Sequence, residues 1–232
     1  MPALEGFELV VCGSSVSSEL EKRAVRAARA AGVRCAVWLD HWVNYPPRFV
    51  LDGEVVLPDE LWVTDEHAER LALETVPGPP VRVRGNPYLE DAAAEIRALE
   101  RPHGDGERIL YVSEPTSVAA ERATGDALGW GYEERAALRG YLEACRPERV
   151  RLRTHPSEPA EKYAEFGLER SEGRTLAEDI AWADTVVGCD TMAMAVALTA
   201  GKRVVSVIPS GGRPLSLPFE GIERLFVASS GA

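Results

Sequence analysis

Two segments in the second half of the chain place anion-binding residue types directly after an apolar, strand-like run. Residues 151–158 read RLRTHPSE, and the run ends in a His-Pro pair. Residues 184–206 read DTVVGCDTMAMAVALTAGKRVVS, where a strand leads through GCDT into a helix of small residues. The start of such a helix offers free backbone N–H groups and a positive dipole, and Thr191 adds a hydroxyl for a phosphate oxygen. We therefore predict that the two strand ends lie side by side and form a phosphate-binding edge.

Each of these features also has a plainer interpretation. Asp190 or Thr191 could simply cap the helix, as such residues commonly do. His155, held extended by Pro156, could donate to a phosphate or act as a general acid to a leaving group, or it could be a histidine of a surface loop. Glu158 could contact a ribose or cap the helix that follows.

Further polar residues lie where the strands of an open α/β sheet would present a ligand. The loop that begins at Ser113 follows a strand but lacks the GxGxxG pattern of dinucleotide-binding proteins. Arg213, in the flexible segment PSGGR, is long enough to reach a phosphate. The predicted nucleotide- and phosphate-binding set is Ser113, Glu114, Thr116, Ser117, Pro156, Glu158, Cys189, Asp190, Thr191, Met192 and Arg213, with His155 as the catalytic residue beside it.

The first half of the chain carries a second group of candidates. Ser14 and Ser15 lie between a strand and a helix, and Trp42 ends the motif DHW after the next strand. These three residues are expected on the acceptor side. Asp40, His41 or Asp65 is predicted to supply a catalytic base, although Asp40 and His41 could equally form a structural turn and Asp65 could cap a helix.

The composition excludes some classes of protein. A formal net charge of −11 and a pI near 5.0, with arginines spread among glutamates, argue against a nucleic-acid partner. The N-terminus reaches a strand at once and no long apolar run follows, so we predict no signal peptide and no transmembrane segment. The four cysteines have no metal-ligand spacing, which argues against a zinc site and predicts reduced thiols in a cytoplasmic protein. We predict no metal and no other cofactor.

Strands and helices alternate along the first hundred residues. We predict strands at 7–13, 34–39, 61–64 and 81–84, and helices ending near 31, over 66–74 and after Pro87. The first helix is expected to bury Leu20, Ala24, Ala27, Ala28 and Ala31. The turn-rich, aperiodic segment 101–107 marks a domain boundary, so the predicted domains are 1–100 and 101–232.

A second alternating series follows this boundary. Strands are predicted at 109–113, 150–154, 168–170, 185–188 and 203–208, and helices at 132–145, 175–183 and 191–200, with a loop over 114–131. Helices between apolar strands require parallel pairing with right-handed crossovers. The fold class is therefore α/β, with two Rossmann-like open parallel-sheet domains.

Three of these segments resemble the GT-B superfamily, which contains glycosyltransferases and UDP-N-acetylglucosamine 2-epimerases. The GNP at 85–87 resembles the turn that leads from the first domain to the second. The segment LAEDIAWADTVVGCDTMAMAVALTAGKRVVSV resembles the donor-site segment, and the His-Pro pair resembles the HP motif of bacterial sialyltransferases and related polysaccharide-biosynthesis transferases. The resemblance implies that His155 binds the nucleotide phosphate and assists the leaving group.

The chain also departs from that superfamily. Val196 stands where many of these enzymes have a glutamate that holds the ribose. The N-terminal domain is expected to be shortened to about four strands, with an open edge that a second copy or a partner subunit could cover.

The leading hypothesis is a metal-independent glycosyltransferase of bacterial surface polysaccharide biosynthesis. Its donor would be a nucleotide-activated sugar, with a CMP-linked sugar as one option, and its acceptor a saccharide or a small molecule. A nucleotide-sugar 2-epimerase or hydrolase is the first alternative. The second is a non-catalytic subunit that binds a nucleotide sugar and completes the site of a partner.

Overall fold

A computed structural model describes residue 4, residues 6–100 and residues 106–226. The chain divides into two compact units, Met1–Pro87 and Tyr88–Ala232. Each unit has helices packed on a parallel sheet, so the α/β class predicted from the sequence is confirmed. The predicted boundary segment at 101–107 falls largely outside the described residues.

Unit 1 is built on a sheet whose order, within the described residues, is β1-β2-β5-β6, with all pairs parallel. A short antiparallel hairpin, β3-β4, occurs in the chain between β2 and β5 and was not predicted. The elements are β1 Leu9–Cys12, α1 Leu20–Ala30, β2 Arg34–Leu39, a 3-10 turn Pro46–Phe49, β3 Val50–Leu51, β4 Glu54–Val55, β5 Glu60–Val63, α2 Glu66–Thr75 and β6 Val81–Val83.

The buried face of α1 differs from the predicted one. The helical period is right and Ala28 is buried as expected, but the other side chains that face inward are Lys22 and Val25. Leu20 is 70% exposed. The phase was wrong because the aliphatic stem of Lys22 is buried while its ammonium donates to the carbonyl of Val16, 3.2 Å away.

Unit 2 contains a sheet whose order, within the described residues, is β12-β11-β10-β7-β8-β9, with all pairs parallel. Its elements are α3 Pro87–Ala98 (whose first residue ends unit 1), β7 Ile109–Val112, α4 Thr116–Thr124, α5 Glu134–Cys145, β8 Val150–Arg153, a 3-10 segment Ala160–Phe166, β9 Glu169–Arg170, α6 Leu176–Trp182, β10 Thr185–Gly188, α7 Met192–Thr199, β11 Arg203–Ser206 and β12 Ile222–Arg224. The strand β12 was missed from the sequence.

The strand order of unit 2 reverses at β7. The chain runs from β7 to β8 and β9 on one side, then returns to β10, β11 and β12 on the other. The His-Pro loop after β8 and the GCDT turn after β10 therefore flank the end of β7. The prediction that these two strand ends lie side by side was wrong, because β7 lies between them. Ligands of open α/β sheets bind at such a reversal, outside the carboxyl ends of the strands.

The segment 114–131 was predicted to be a loop, but it contains the helix α4. The position before this helix is Pro115, which has no capping side chain. The first-turn N–H of Ser117 is instead satisfied by the carboxylate of Glu134, 2.9 Å away and seventeen positions later in the chain. Gly125, at a φ of 80°, ends the helix. A cap supplied from so far along the chain has no local sequence signal.

Within the part of the chain that the structure describes, no helix is long and apolar enough to cross a membrane.

Candidate functional site

The candidate site of unit 2 lies at the carboxyl ends of β7 and β10. Gly188, the last residue of β10, allows the two strands to approach closely there. A Cβ atom on Gly188 would lie 2.9 Å from the carbonyl oxygen of Val112 and 2.9 Å from one of its methyl groups. A larger residue at position 188 would therefore clash with β7. The next three residues, 189–191, lie at the reversal point of the sheet.

The N-terminus of α7 is not capped by a side chain. Thr191 occupies the position before the helix, in extended backbone geometry, but its hydroxyl makes no capping hydrogen bond. The Asp190 carboxylate is engaged elsewhere, since its Oδ2 accepts from the backbone N–H of Ser216 at 3.1 Å and lies 3.4 Å from the Arg213 guanidinium. The plain-cap interpretation therefore fails for both side chains, and Thr191 is partly exposed at the start of the helix.

Glu114 and Asp190 place two carboxyl groups near the same strand ends. Burial, followed by the negative charge of Asp190, raises the pKa of Glu114 to about 8. The hydroxyl of Thr116 donates to Glu114 Oε1 at 3.1 Å. Asp190 Oδ1 is buried and has no hydrogen-bond partner among the described residues. At neutral pH, Glu114 is therefore mostly protonated and can donate a proton or a hydrogen bond.

We expect stability to report the protonation of Glu114. Since its pKa is about 8 in the fold and about 4.3 in the unfolded chain, the folded state binds the extra proton between these values. Its stabilising contribution is complete below the unfolded pKa and is lost as the pH rises through the folded pKa. In urea unfolding, wild type should lose on the order of 2–4 kcal/mol relative to Glu114→Gln between about pH 4.5 and pH 9.

The matched control for this measurement is Glu121→Gln, on the exposed face of the neighbouring helix α4. It should follow the wild-type pH dependence. If the free energies of unfolding of wild type and Glu114→Gln changed in parallel with pH, the Glu114 carboxyl would titrate as it does in water.

The His-Pro loop after β8 is fixed through its backbone. The N–H of His155 lies 3.1 Å from Ser113 Oγ, at the end of β7, and 3.1 Å from Glu158 Oε2. The side chain of His155 is exposed, and its Nδ1 lies 2.7 Å from Ser157 Oγ. Within the described residues its Nε2 has no hydrogen-bond partner. The loop therefore presents one free imidazole nitrogen from a well-anchored backbone.

Glu158 is the centre of a buried hydrogen-bond network beneath this loop. Its carboxylate accepts from the hydroxyl of Ser113, from Lys162 Nζ at 2.8 Å and from the hydroxyl of Tyr163 at 2.8 Å. Burial acts to raise the pKa of Glu158, but the hydrogen bonds from Lys162, Ser113 and Tyr163 outweigh it and leave that pKa below its usual value. The Glu158 carboxylate is thus held ionised beneath the backbone of His155. The sequence had offered two other roles for Glu158, contact with a ribose and capping of the following helix.

Lys162 extends this network to the loop after β7. Besides Glu158, its ammonium contacts the carboxylate of Glu134, a buried residue at the start of α5. Glu134 also accepts from the backbone N–H of Ser117 at 2.9 Å and from its hydroxyl at 2.8 Å. The ends of β7 and β8 are therefore joined through one lysine and two buried carboxylates.

The remaining predicted residues of unit 2 differ in their exposure at this edge of the sheet. Thr116 is buried, and Cys189 lies in the core, where burial raises the pKa of its thiol. Pro156 is exposed and Met192 is partly exposed. Arg213 stacks on Trp130, with its guanidinium carbon 4.1 Å from the ring centre, and reaches Asp190. The edge therefore brings His155, Thr191 and Arg213 to accessible positions, while Ser113, Thr116, Ser117 and Glu158 bond to the protein.

The predicted residues of unit 1 follow β1, β2 and β5. Ser14 lies after β1 and is contacted by Arg48 of the 3-10 turn. Asp40 and His41 follow β2 with exposed side chains, and His41 Nε2 lies 3.9 Å from Asp40 Oδ2. Asp40 is equally far from Arg48. Ser15 accepts from the N–H of Ser18 at 3.0 Å and shapes the turn before α1.

Asp65 caps α2, as the sequence indicated. Its Oδ1 accepts from the N–H of Ala68 at 2.8 Å, and its Oδ2 accepts from the indole N–H of Trp42 at 2.7 Å. Trp42 is buried, so its contact with Asp65 ties the end of β2 to the start of α2.

Sequence reasoning missed Glu134, Lys162 and Arg48. Lys162 lies four residues after Glu158, a spacing at which opposite charges meet on one helical turn, and this signal was available. Glu134 and Arg48 contact residues distant in sequence, and nothing in their neighbourhood indicates those contacts.

Comparison with known proteins adds evidence on the fold. No family model and no curated protein matches the sequence. Among solved structures, a candidate UDP-N-acetylglucosamine 2-epimerase from Listeria monocytogenes is similar with a TM-score of 0.60 at 11% identity, over 96% of this chain and 63% of that one. The chain thus spans less than two thirds of that protein's length. A KpsC beta Kdo 2,7 transferase from Thermosulfurimonas dismutans gives a TM-score of 0.43 at 15% identity, over 96% and 84% of the chains, a score too low to support a conclusion.

The first of these likenesses establishes the class of fold. The chain has a GT-B-like α/β fold with Rossmann-type parallel sheets, as the sequence predicted.

Proposed function

We propose that the chain is a GT-B-type glycosyltransferase that binds a nucleotide-activated sugar at the carboxyl edge of the unit 2 sheet. One observation carries the proposal. The N-terminus of α7 lies at the reversal point of the sheet with no side-chain cap, and the Thr191 hydroxyl makes no hydrogen bond to the part of the chain that the structure describes. A phosphate at this position gains the free N–H groups, the helix dipole and the hydroxyl together.

His155 is proposed to act on the same phosphate or on the leaving group. Its backbone is anchored by Ser113 and Glu158, and its Nε2 is free of protein hydrogen bonds within the described residues. A protonated imidazole can stabilise charge that develops on the departing nucleotide. Arg213 is proposed to add a cation at the opposite end of the edge. The loop from Ser113 to Ser117 then serves mainly to support the site, because its side chains bond to Glu114, Glu134 and Glu158.

Unit 1 is proposed to bind the acceptor and to supply the base. Asp40 and His41 are exposed and paired, which suits proton removal from a hydroxyl. Asp65 is less suited, since both of its oxygens accept hydrogen bonds from the protein.

The choice of donor within this proposal rests on the sequence resemblance. The His-Pro pair favours a CMP-linked sugar and a role in surface polysaccharide biosynthesis. Val196, in place of a ribose-binding glutamate, weighs against a standard UDP-sugar.

A nucleotide-sugar 2-epimerase or hydrolase is the second candidate. The likeness to the candidate 2-epimerase from Listeria monocytogenes favours it, and such a reaction requires no saccharide acceptor.

The test is nucleotide release from a panel of CMP-, CDP- and UDP-sugars, with and without saccharide acceptors. Acceptor-dependent release of one nucleotide supports a transferase. Release without an acceptor, or epimerised sugar without release, supports the second candidate. Binding without turnover under all conditions would contradict both enzymes.

A further inference from the structure

Two buried cations bracket the loop 13–18 that follows β1 in unit 1. Arg48 is 8% exposed, and its Nη1 donates to the carbonyl oxygen and the hydroxyl of Ser14, each 3.0 Å away. Lys22 is 7% exposed and donates to the carbonyl of Val16 at 3.2 Å. Both cations therefore bond to neutral oxygen atoms of the same loop.

Negative charge around these cations is sparse. The carboxylate that approaches Arg48 is Asp40, at 3.9 Å, and Asp40 is itself 60% exposed. The other titratable groups beside Arg48 are Tyr45, buried and un-ionised, and His41, which pairs with Asp40. Within the described residues, Lys22 has no ion pair. The carboxylates at this loop are Asp40 and Glu21, whose Oε2 accepts from the hydroxyl of Ser18 at 2.8 Å. Among the described residues, neither makes a close ion pair with Arg48 or Lys22.

Arg48 also keeps unused hydrogen-bonding capacity. Its Nε is buried and has no partner among the described residues. Its hydrogen bonds within the described residues all come from Nη1, so the edge formed by Nε and Nη2 donates to none of these residues. That edge is the part of a guanidinium that grips a carboxylate or phosphate with two parallel bonds.

A purely structural role accounts poorly for these features. Holding Ser14 in place requires a single neutral donor, whereas a buried guanidinium must lose its hydration. Burial lowers the pKa of Arg48, which reports that cost. Buried charges in proteins are normally closely paired, whereas the ion pair of Arg48 is a long one, to the exposed Asp40 at 3.9 Å. A bound anion would supply a closer partner.

We propose that Arg48 and the loop 13–18 form an oxyanion-binding site, which takes the carboxylate or phosphate group of a ligand, with Lys22 adding positive charge. This identification of the ligand rests on the proposed function: if unit 1 binds the acceptor, the acceptor is an anionic saccharide. Ser14 and Ser15 border the site, and Arg48 was not among the residues that the sequence singled out.

The experiment is calorimetric titration of the full chain with D-glucuronate, D-glucose 6-phosphate and D-glucose at constant ionic strength. We expect one or both anionic sugars to bind and neutral glucose to show no heat. The comparison of the two anionic sugars distinguishes a carboxylate from a phosphate. Arg48→Gln should weaken the binding about 10-fold or more, because a hydrogen bond to a charged group is lost.

Arg23→Gln is the matched control, since it removes an exposed arginine from α1 in the same unit and should leave the affinity unchanged. If Arg48→Gln does not fold, Lys22→Gln and Ser14→Ala take its place, and both should weaken binding. Absence of binding by both anionic sugars, or equal binding by wild type and these variants, would overturn the site. The same samples are titrated with CMP, which reports on the donor site. A variant that loses the anionic sugar but still binds CMP has lost only the anion site of unit 1.

Discussion

We expect His155→Ala to release nucleotide from its sugar donor at least about 100-fold more slowly than wild type, because a positioned general acid contributes roughly 10²–10⁴-fold to the rate. The imidazole is exposed while its backbone is anchored by Ser113 and Glu158. The substitution should therefore remove the chemistry and leave the loop in place. The measurement is steady-state nucleotide release with the donor found active in the panel.

The kinetic constants separate the two roles proposed for His155. A general acid affects mainly kcat and removes one limb of the pH–rate profile, whereas a phosphate ligand of the ground state affects mainly KM. His67→Ala, which removes an exposed histidine of α2, is the matched control and should match wild type. Unchanged kcat and KM in His155→Ala would remove this residue from the mechanism.

The second large effect is expected on stability, from Glu158→Ala. The substitution removes a buried carboxylate that accepts from Ser113, Lys162, Tyr163 and the backbone of His155. The donors are left without their acceptor, and breaking one partner of a buried ion pair costs about 3–5 kcal/mol. We expect a fall of that size in the free energy of unfolding at pH 7, measured by urea denaturation.

Glu165→Ala provides the control for Glu158→Ala. Glu165 pairs with Arg135 and Arg139, but all three side chains are substantially exposed, so the loss should be at most about 1 kcal/mol. Equal losses in the two variants would show that the network beneath the His-Pro loop is not a special source of stability.

The pH dependence gives a second readout for Glu158. Its pKa in the fold is below its usual value, so its contribution is present above the unfolded pKa of about 4.3 and is lost as the pH falls through the folded pKa. Wild type and Glu158→Gln should therefore approach each other in stability under acid conditions and separate at neutral pH. A constant difference across that range would contradict an ionised Glu158.

Much of the fold could be predicted because its signals are local. The apolar run before Gly188 and the small residues after it predict a buried strand and a closely packed helix, and β10 and α7 lie there. The helix α4 was missed because Glu134 supplies its cap from far along the chain. The buried face of α1 was misjudged because sequence patterns count Lys22 as polar, whereas most of its side chain is aliphatic.

The contrast between local signals and long-range contacts also explains which parts of the site could be predicted. His155 stood out because it follows a strand and precedes Pro156, and Thr191 because it follows a strand and precedes a helix of small residues. The strand order that sets His155 and Thr191 on either side of β7 depends on long-range pairing, and sequence alone did not give it. The network through Lys162 and the buried charge of Arg48 also depend on tertiary contacts, since an arginine in the motif PPRF gives no sign of burial.

The central claim is that the N-terminus of α7 holds the phosphate of a nucleotide, and calorimetric titration with CMP, CDP, UDP and dTDP tests it most directly. We predict that at least one nucleotide binds wild type and that Thr191→Ala binds it about 10-fold or more weakly, since a hydroxyl bond to a charged phosphate is lost. Thr199→Ala, at the other end of the same helix, where the hydroxyl donates to Ala195, should bind like wild type. Equal affinity in wild type and Thr191→Ala, or no binding of any nucleotide to wild type, would contradict the claim.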